Sequence, residues 1–78
     1  MNANHQVREY LVQLLASRGD NEPFEDSDSL VMSGRLNSLE VVEILTFLET
    51  TFGYSMDPSE FDLSKFDSLR SIMELLSR

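Results

Sequence analysis

The N-terminal part of the chain carries the hydrophobic period of an amphipathic helix. Four apolar residues recur at positions i, i+4, i+7 and i+8: Val7, Leu11, Leu14 and Leu15. This spacing puts the four side chains on one face of a helix, and it predicts a helix over about residues 4–18. Gly19 can adopt the left-handed backbone conformation that ends such a helix.

A second amphipathic pattern begins at residue 38. Asn37 and Glu40 have the spacing of a capping box, and Phe52 is followed by Gly53, so a helix is predicted over about residues 38–52. Phe47 falls on the flank of this helix, where it either packs under the following segment or narrows a space between the helices. At about 100° per residue, one side of the helix gathers the apolar residues Val41, Ile44, Leu45, Leu48 and Phe52.

The opposite side of this helix mixes aliphatic residues with carboxylates around Ser38. A helix with only a structural role usually presents polar residues to solvent, so exposed aliphatic groups beside acidic ones favour a docking surface. Single exposed aliphatic residues are also normal on folded proteins, and an ordinary surface is the alternative. The residues on this side with Ser38 are Leu39, Val42, Glu43, Thr46 and Glu49.

The segment between the two patterns predicts a long loop. Residues 20–36 are rich in Asp, Asn, Ser, Pro and Gly, which oppose regular structure, and Phe24, Leu30 and Leu36 are expected to anchor them to the core. Loops of this length in compact domains are often functional. This loop would cross the bundle and deliver Ser38 at one end.

Two further helices are predicted in the C-terminal part. Asp57 and Pro58 are typical of a helix start and predict a short helix over about 58–62, while Asp67 or Ser68 caps a last helix over about 67–77. With no strand pattern, the predicted fold is all-α, a small bundle of three principal helices and one short helix. The apolar face of the last helix is Leu69, Ile72, Met73 and Leu76.

Length and composition limit what the protein can be. The 78 residues are predicted to form a single domain over 1–78. The formal net charge of −8 disfavours nucleic acid and anionic membranes as partners, and no apolar run approaches the length of a membrane span. The chain has no cysteine, which suits a reducing compartment. We therefore expect a monomeric cytoplasmic protein without membrane insertion.

The residue types needed for catalysis or metal binding are not in suitable patterns. No Gly-x-Ser-x-Gly turn surrounds Ser38, and His5, the only histidine, is expected in a frayed N-terminus. Ser38 therefore has no predicted base to activate it. The acidic stretch from Asp26 to Ser29 departs from the EF-hand pattern, so no metal site is predicted. Ser38 is useful only if another enzyme supplies the chemistry.

These motifs together resemble the acyl carrier protein family, in which the serine of an Asp-Ser-Leu motif at the start of the second helix is esterified to 4′-phosphopantetheine. The motif here is Asn37-Ser38-Leu39, and the resemblance continues through Phe52-Gly53-Tyr54 and Asp57-Pro58. Gly34 stands four residues before the serine, and Ser59-Glu60-Phe61-Asp62 is followed by Phe66-Asp67-Ser68. Both details are most similar to stand-alone aminoacyl carriers such as the D-alanyl carrier proteins.

The resemblance implies a carrier that catalyses nothing itself. Ser38 would bear 4′-phosphopantetheine, whose thiol carries an acyl or aminoacyl group as a thioester, with Asn37 and Leu39 flanking the attachment site. The implied partners are a phosphopantetheinyl transferase, a loading ligase or adenylating enzyme, and an acceptor acyltransferase or synthase. Asn37 replaces the usual aspartate, and this uncharged cap favours the alternative of an unmodified acidic helical module for protein interaction.

Overall fold

A computed structural model describes residues 2–77, so both ends of the domain predicted over 1–78 lie outside the described residues. Three α-helices form a small bundle, and two single-turn 3-10 helices connect the last two; no strand occurs between residues 2 and 77. The prediction of an all-α bundle is confirmed. The elements are α1 (Ala3–Ala16), α2 (Ser38–Phe52), the 3-10 helices Pro58–Glu60 and Leu63–Phe66, and α3 (Leu69–Leu76).

One hydrophobic core joins all three helices and the long loop. The four apolar residues that were predicted to share one face of the first helix are buried on α1, and Phe24, Leu30 and Leu36 anchor the loop as expected. On α3 the buried face comprises Leu69, Ile72 and Leu75. Burial of this apolar surface is the main favourable contribution to folding. The buried apolar residues are Val7, Leu11, Leu14, Leu15, Phe24, Leu30, Leu36, Val41, Ile44, Leu48, Phe66, Leu69, Ile72 and Leu75.

The first helix begins earlier than predicted. The Asn2 side chain accepts a hydrogen bond from the Asn4 backbone N–H at 2.9 Å and caps α1. His5 therefore lies within the first turns of the helix, and the expectation of a frayed segment there was wrong. The α-helix ends at Ala16 rather than near 18, because the N–H groups of Arg18 and Gly19 donate to carbonyls three residues back and Gly19, with a φ of +84°, adopts the predicted left-handed conformation.

The segment between α2 and α3 differs from the single short helix predicted over 58–62. Asp57 and Asp62 each accept a hydrogen bond from the backbone N–H two residues later, and each starts one 3-10 turn. The second turn carries the fully buried Phe66 and contacts both α2 and α3. Ser68 then caps α3 by accepting from the Ser71 backbone N–H, which resolves the choice between Asp67 and Ser68.

The helices α1 and α2 run antiparallel, and a stack of aromatic rings joins them. Phe47 lies flat on Tyr10, with ring centroids 4.1 Å apart and planes inclined by 9°. Phe47 also meets Phe52 edge to face at 5.9 Å. Phe47, on the flank of α2, thus packs on α1 at the edge of the core.

The helices are short and amphipathic, and no helix within residues 2–77 is long and apolar enough to cross a membrane. The buried face of α2 matches the predicted stripe at Val41, Ile44 and Leu48, whereas Leu45 and Phe52 are only partly buried. The difference between Leu48 and Leu45 tests the orientation of α2, because the two leucines are one turn apart and differ in burial.

Replacing Leu48 by alanine should lower the free energy of unfolding by about 2–5 kcal/mol, because the side chain is fully buried and its removal leaves a cavity. Leu45→Ala removes the same atoms from a partly exposed position, and it should cost less than about 2 kcal/mol. Urea unfolding followed by circular dichroism measures both values. Equal losses in the two variants would mean that α2 turns a different face to the core.

Candidate functional site

The start of α2 is fixed by a complete capping box. The Asn37 side chain accepts a hydrogen bond from the Glu40 backbone N–H at 2.9 Å, and the Glu40 carboxylate accepts one from the Asn37 backbone N–H at 2.9 Å. These reciprocal bonds satisfy two groups that a helix N-terminus otherwise leaves unpaired. Ser38 is therefore held as the first residue of the helix, with its side chain exposed to solvent.

The end of the long loop delivers the chain to this cap. The backbone N–H of Leu36 donates to the Leu30 carbonyl at 2.7 Å, and both side chains are buried. Between them the chain turns back through Gly34, whose φ of +88° lies in the left-handed region that favours glycine. The turn fixes where α2 begins, and with it the position of Ser38.

The carboxylate of Asp67 ties the same loop to the start of α3. One of its oxygens accepts hydrogen bonds from the backbone N–H groups of Val31 at 2.8 Å and Met32 at 2.7 Å, and from the Ser29 hydroxyl at 3.0 Å. The Asp67 carbonyl accepts from the Leu30 N–H at 2.6 Å. Burial raises the pKa of this carboxyl, but the hydrogen bonds from Met32, Ser29 and Val31 outweigh it and leave the pKa below its usual range.

Two arginines brace the loop and the first turn of α2. Arg18, beyond the end of α1, donates to the Glu40 carboxylate at 2.7 Å and to the carbonyl of Arg35. Arg35 in turn forms a two-point ion pair with Asp20, at 2.8 and 3.1 Å. The hydrogen bonds from Arg35 lower the pKa of Asp20. Both cations next to the helix start are therefore paired within the molecule.

The structure brings most of the predicted docking residues together on one open groove. Leu39, Val42, Glu43 and Thr46 line it along α2, and all four side chains are exposed. Glu49 is also exposed but does not line the groove. Sequence reasoning missed its other wall, which Tyr10 of α1 forms together with Phe47 and Thr50. Tyr10 follows Val7 by three residues and precedes Leu14 by four, so the helical period places it beside the other apolar residues of α1, and this signal could have found it.

The chemistry available at Ser38 is that of a free hydroxyl at a helix N-terminus. Neither the Ser38 nor the Leu39 backbone N–H has an acceptor among residues 2–77, and the helix dipole favours negative charge there. His5 lines a groove with Phe47 and Thr51, toward the opposite end of α2. The described part of the chain contains no group of three His, Asp or Glu residues that could hold a metal ion. The site can accept an anionic group, but it has no neighbouring histidine base.

Comparisons with known proteins agree on one family. The family model described as "Phosphopantetheine attachment site" matches residues 5–76. The chain is also similar to a holo acyl carrier protein from Nitrosomonas europaea, whose solution structure superimposes with a TM-score of 0.73 at 27% sequence identity. That similarity covers 99% of this chain and 94% of the other. Among curated proteins, none matches the chain.

Replacing Asp67 by alanine should lower the free energy of unfolding by about 1.5–3 kcal/mol, the usual value for hydrogen bonds to a charged acceptor. Asp67→Asn keeps an acceptor oxygen without the charge and should lower the free energy of unfolding by less. Because the pKa of Asp67 is lower in the folded chain, its stabilisation is complete above the ordinary aspartate pKa and disappears as pH falls through the lowered value. Urea unfolding between pH 2 and 7 should therefore show a smaller acid-induced loss in Asp67→Asn than in the wild type. Equal acid dependence in the two proteins would contradict this role of Asp67.

Proposed function

Since this chain belongs to the acyl carrier protein family, whose model matches residues 5–76 as a phosphopantetheine attachment site, we propose that Ser38 is the residue that carries the 4′-phosphopantetheine. The observation that carries the proposal is the exposed hydroxyl at the first position of α2, beside two backbone N–H groups that have no acceptor among residues 2–77. A phosphodiester at Ser38 would lie at the positive end of the helix dipole. The residues present therefore fit the group.

The attachment step requires a partner enzyme. The Ser38 oxygen attacks the phosphorus of coenzyme A that bears pantetheine, an oxygen–phosphorus bond of the pyrophosphate breaks, and adenosine 3′,5′-bisphosphate leaves. The serine proton passes to a base of the transferase, because His5 lies toward the opposite end of α2. The attached group supplies a flexible arm with a terminal thiol that carries an acyl or aminoacyl group as a thioester. The chain contains no cysteine, so this would be its one thiol.

The protein's own contribution is presentation rather than catalysis. Members of the family act with modifying and acyl-handling enzymes, and for this chain we expect a phosphopantetheinyl transferase, a loading ligase or adenylating enzyme, and an acceptor acyltransferase or synthase. Each would dock on the exposed side of α2, chiefly on Leu39, Val42, Glu43, Thr46 and Glu49. We expect it to act as a monomeric carrier domain over 1–78 in the cytoplasm.

Wild-type protein incubated with coenzyme A and a phosphopantetheinyl transferase should gain the mass of one phosphopantetheine and one titratable thiol. Ser38→Ala removes the acceptor oxygen at an exposed position and should gain neither, while keeping the wild-type circular dichroism spectrum. Intact-mass spectrometry and a thiol assay measure the two quantities. An unchanged mass with several transferases would instead support the unmodified interaction module, which Asn37 favours by leaving the cap uncharged.

Apolar and charged contacts on α2 should differ in their dependence on salt. Val42→Asp should slow association with the transferase about tenfold at all salt concentrations, because it places a charge in an apolar contact worth about 1.5 kcal/mol. Glu49→Lys should slow association mainly at low ionic strength, where exposed charges are poorly screened. Stopped-flow association rates measure both effects. Each variant should keep its stability within about 0.5 kcal/mol, and unfolding of Val42→Asp would refute the assignment of this face as exposed.

A further inference from the structure

The first turn of α2 contains one carboxylate, and the molecule itself neutralises it. The Glu40 oxygen that completes the capping box accepts from the Asn37 N–H at 2.9 Å and from the Arg18 guanidinium at 2.7 Å. The Glu40 side chain is only 14% exposed. Asn37 supplies the cap without a charge. An enzyme that approaches Ser38 therefore meets no accessible negative charge at the first turn.

The surface around this neutral turn is apolar. Leu39 is 70% exposed and Val42 is 48% exposed. Large apolar side chains exposed to this extent are the usual components of a contact core in protein interfaces.

The accessible charges of α2 lie farther along the helix. Glu43 and Glu49 are exposed, and within residues 2–77 neither carboxylate forms an ion pair. At about 1.5 Å per residue, they lie roughly 7.5 and 16.5 Å beyond Ser38 along the helix axis. Along α2 from Ser38, exposed apolar side chains therefore come first and exposed carboxylates second.

We propose that Arg18 is a specificity-determining residue that acts through Glu40. By pairing with Glu40 it leaves the first turn of α2 without an accessible negative charge. An enzyme that acts on Ser38 then meets Leu39 and Val42 near the serine and needs basic side chains only farther along the helix, opposite Glu43 and Glu49. This inference rests on the proposed attachment at Ser38. The class of partner is therefore a carrier-binding enzyme whose basic residues lie away from the serine.

A titration with a short oligolysine peptide tests the charge pattern on the unmodified protein. In the wild type, amide chemical shifts should change at Glu43 and Glu49 and much less at Glu40. Arg18→Gln frees the Glu40 carboxylate, so the Glu40 amide should then respond as strongly as that of Glu43. Arg18→Lys keeps the positive charge and should restore the wild-type response. A wild-type response at Glu40 equal to that at Glu43 would overturn the masking by Arg18.

The rate of modification tests the consequence for a partner with a basic carrier-binding surface. With such a transferase, Arg18→Gln should raise kcat/KM about fivefold at low salt, the effect of one added charge pair near contact in water. The gain should vanish near 1 M salt, where the Debye length is about 3 Å. Arg70→Gln changes the net charge equally from the exposed face of α3 and should leave the rate unchanged. Equal effects of the two variants would mean that net charge alone changes the rate, and this would refute the proposal.

A separate variant tests the contribution of the exposed apolar side chains. Leu39→Ser removes the most exposed aliphatic group beside Ser38 and should lower kcat/KM about tenfold at every salt concentration, as loss of a buried leucine contact predicts. An unchanged rate would refute the apolar contact. If no variant gains mass, the attachment at Ser38 fails, whereas the oligolysine titration still decides whether Arg18 masks Glu40.

Discussion

The carboxylate of Asp67 is the contact on which the geometry of the site depends. The loop over residues 20–36 has no regular structure of its own beyond single turns, so its backbone groups need partners elsewhere. Asp67 supplies an acceptor for three donors of the loop, and its carbonyl holds the Leu30 N–H. Leu30 then holds the Leu36 N–H, one residue before the Asn37 cap. The position of Ser38 therefore follows from an acidic residue 29 positions later in the chain.

The charged residues of this protein serve two purposes: some form ion pairs within the molecule, and others are exposed on its surface. Three of the five basic residues within the described range pair with acidic residues of the same molecule: Arg8 with Asp26, Arg18 with Glu40 and Arg35 with Asp20. These pairs are partly exposed, and each contributes modestly to stability. Their larger effect is on what partners meet, because the pairing uses the basic side chains internally. The exposed side of α2 is left with carboxylates and aliphatic groups, separate from the buried face that holds the fold together.

The parts of the fold that could be predicted from the sequence are those set by local rules. Helix α2 was predicted at its observed bounds, because Asn37 and Glu40 form a capping box and Gly53 adopts the left-handed conformation that ends the helix. The second 3-10 turn, Leu63–Phe66, was missed because four residues are too few to display a period. The stack of Phe47 on Tyr10 was missed for a different reason. Angular position on one helix does not specify the partner on another.

In the candidate site, too, the features set by helical period could be predicted, and the long-range contacts could not. The exposure of Ser38 and Val42 follows from helical period alone, and the structure agrees with it. The pairing of Arg18 with Glu40 spans 22 residues and the hydrogen bonds of Asp67 to the loop span 35 to 38. Contacts at these separations depend on how the helices pack. A single sequence holds no local signal for them, although Asp67 was correctly placed near the start of the last helix.

The most direct measurement of the central claim is the location of phosphopantetheine within the modified chain. Trypsin cleaves after Arg35 and Lys65, so one peptide over residues 36–65 contains Ser38 together with Ser55, Ser59 and Ser64. Tandem mass spectrometry of this peptide should place the whole added mass on Ser38. Fragment ions that place it on another serine, or on a peptide outside 36–65, would contradict the assignment of the start of α2 as the attachment site.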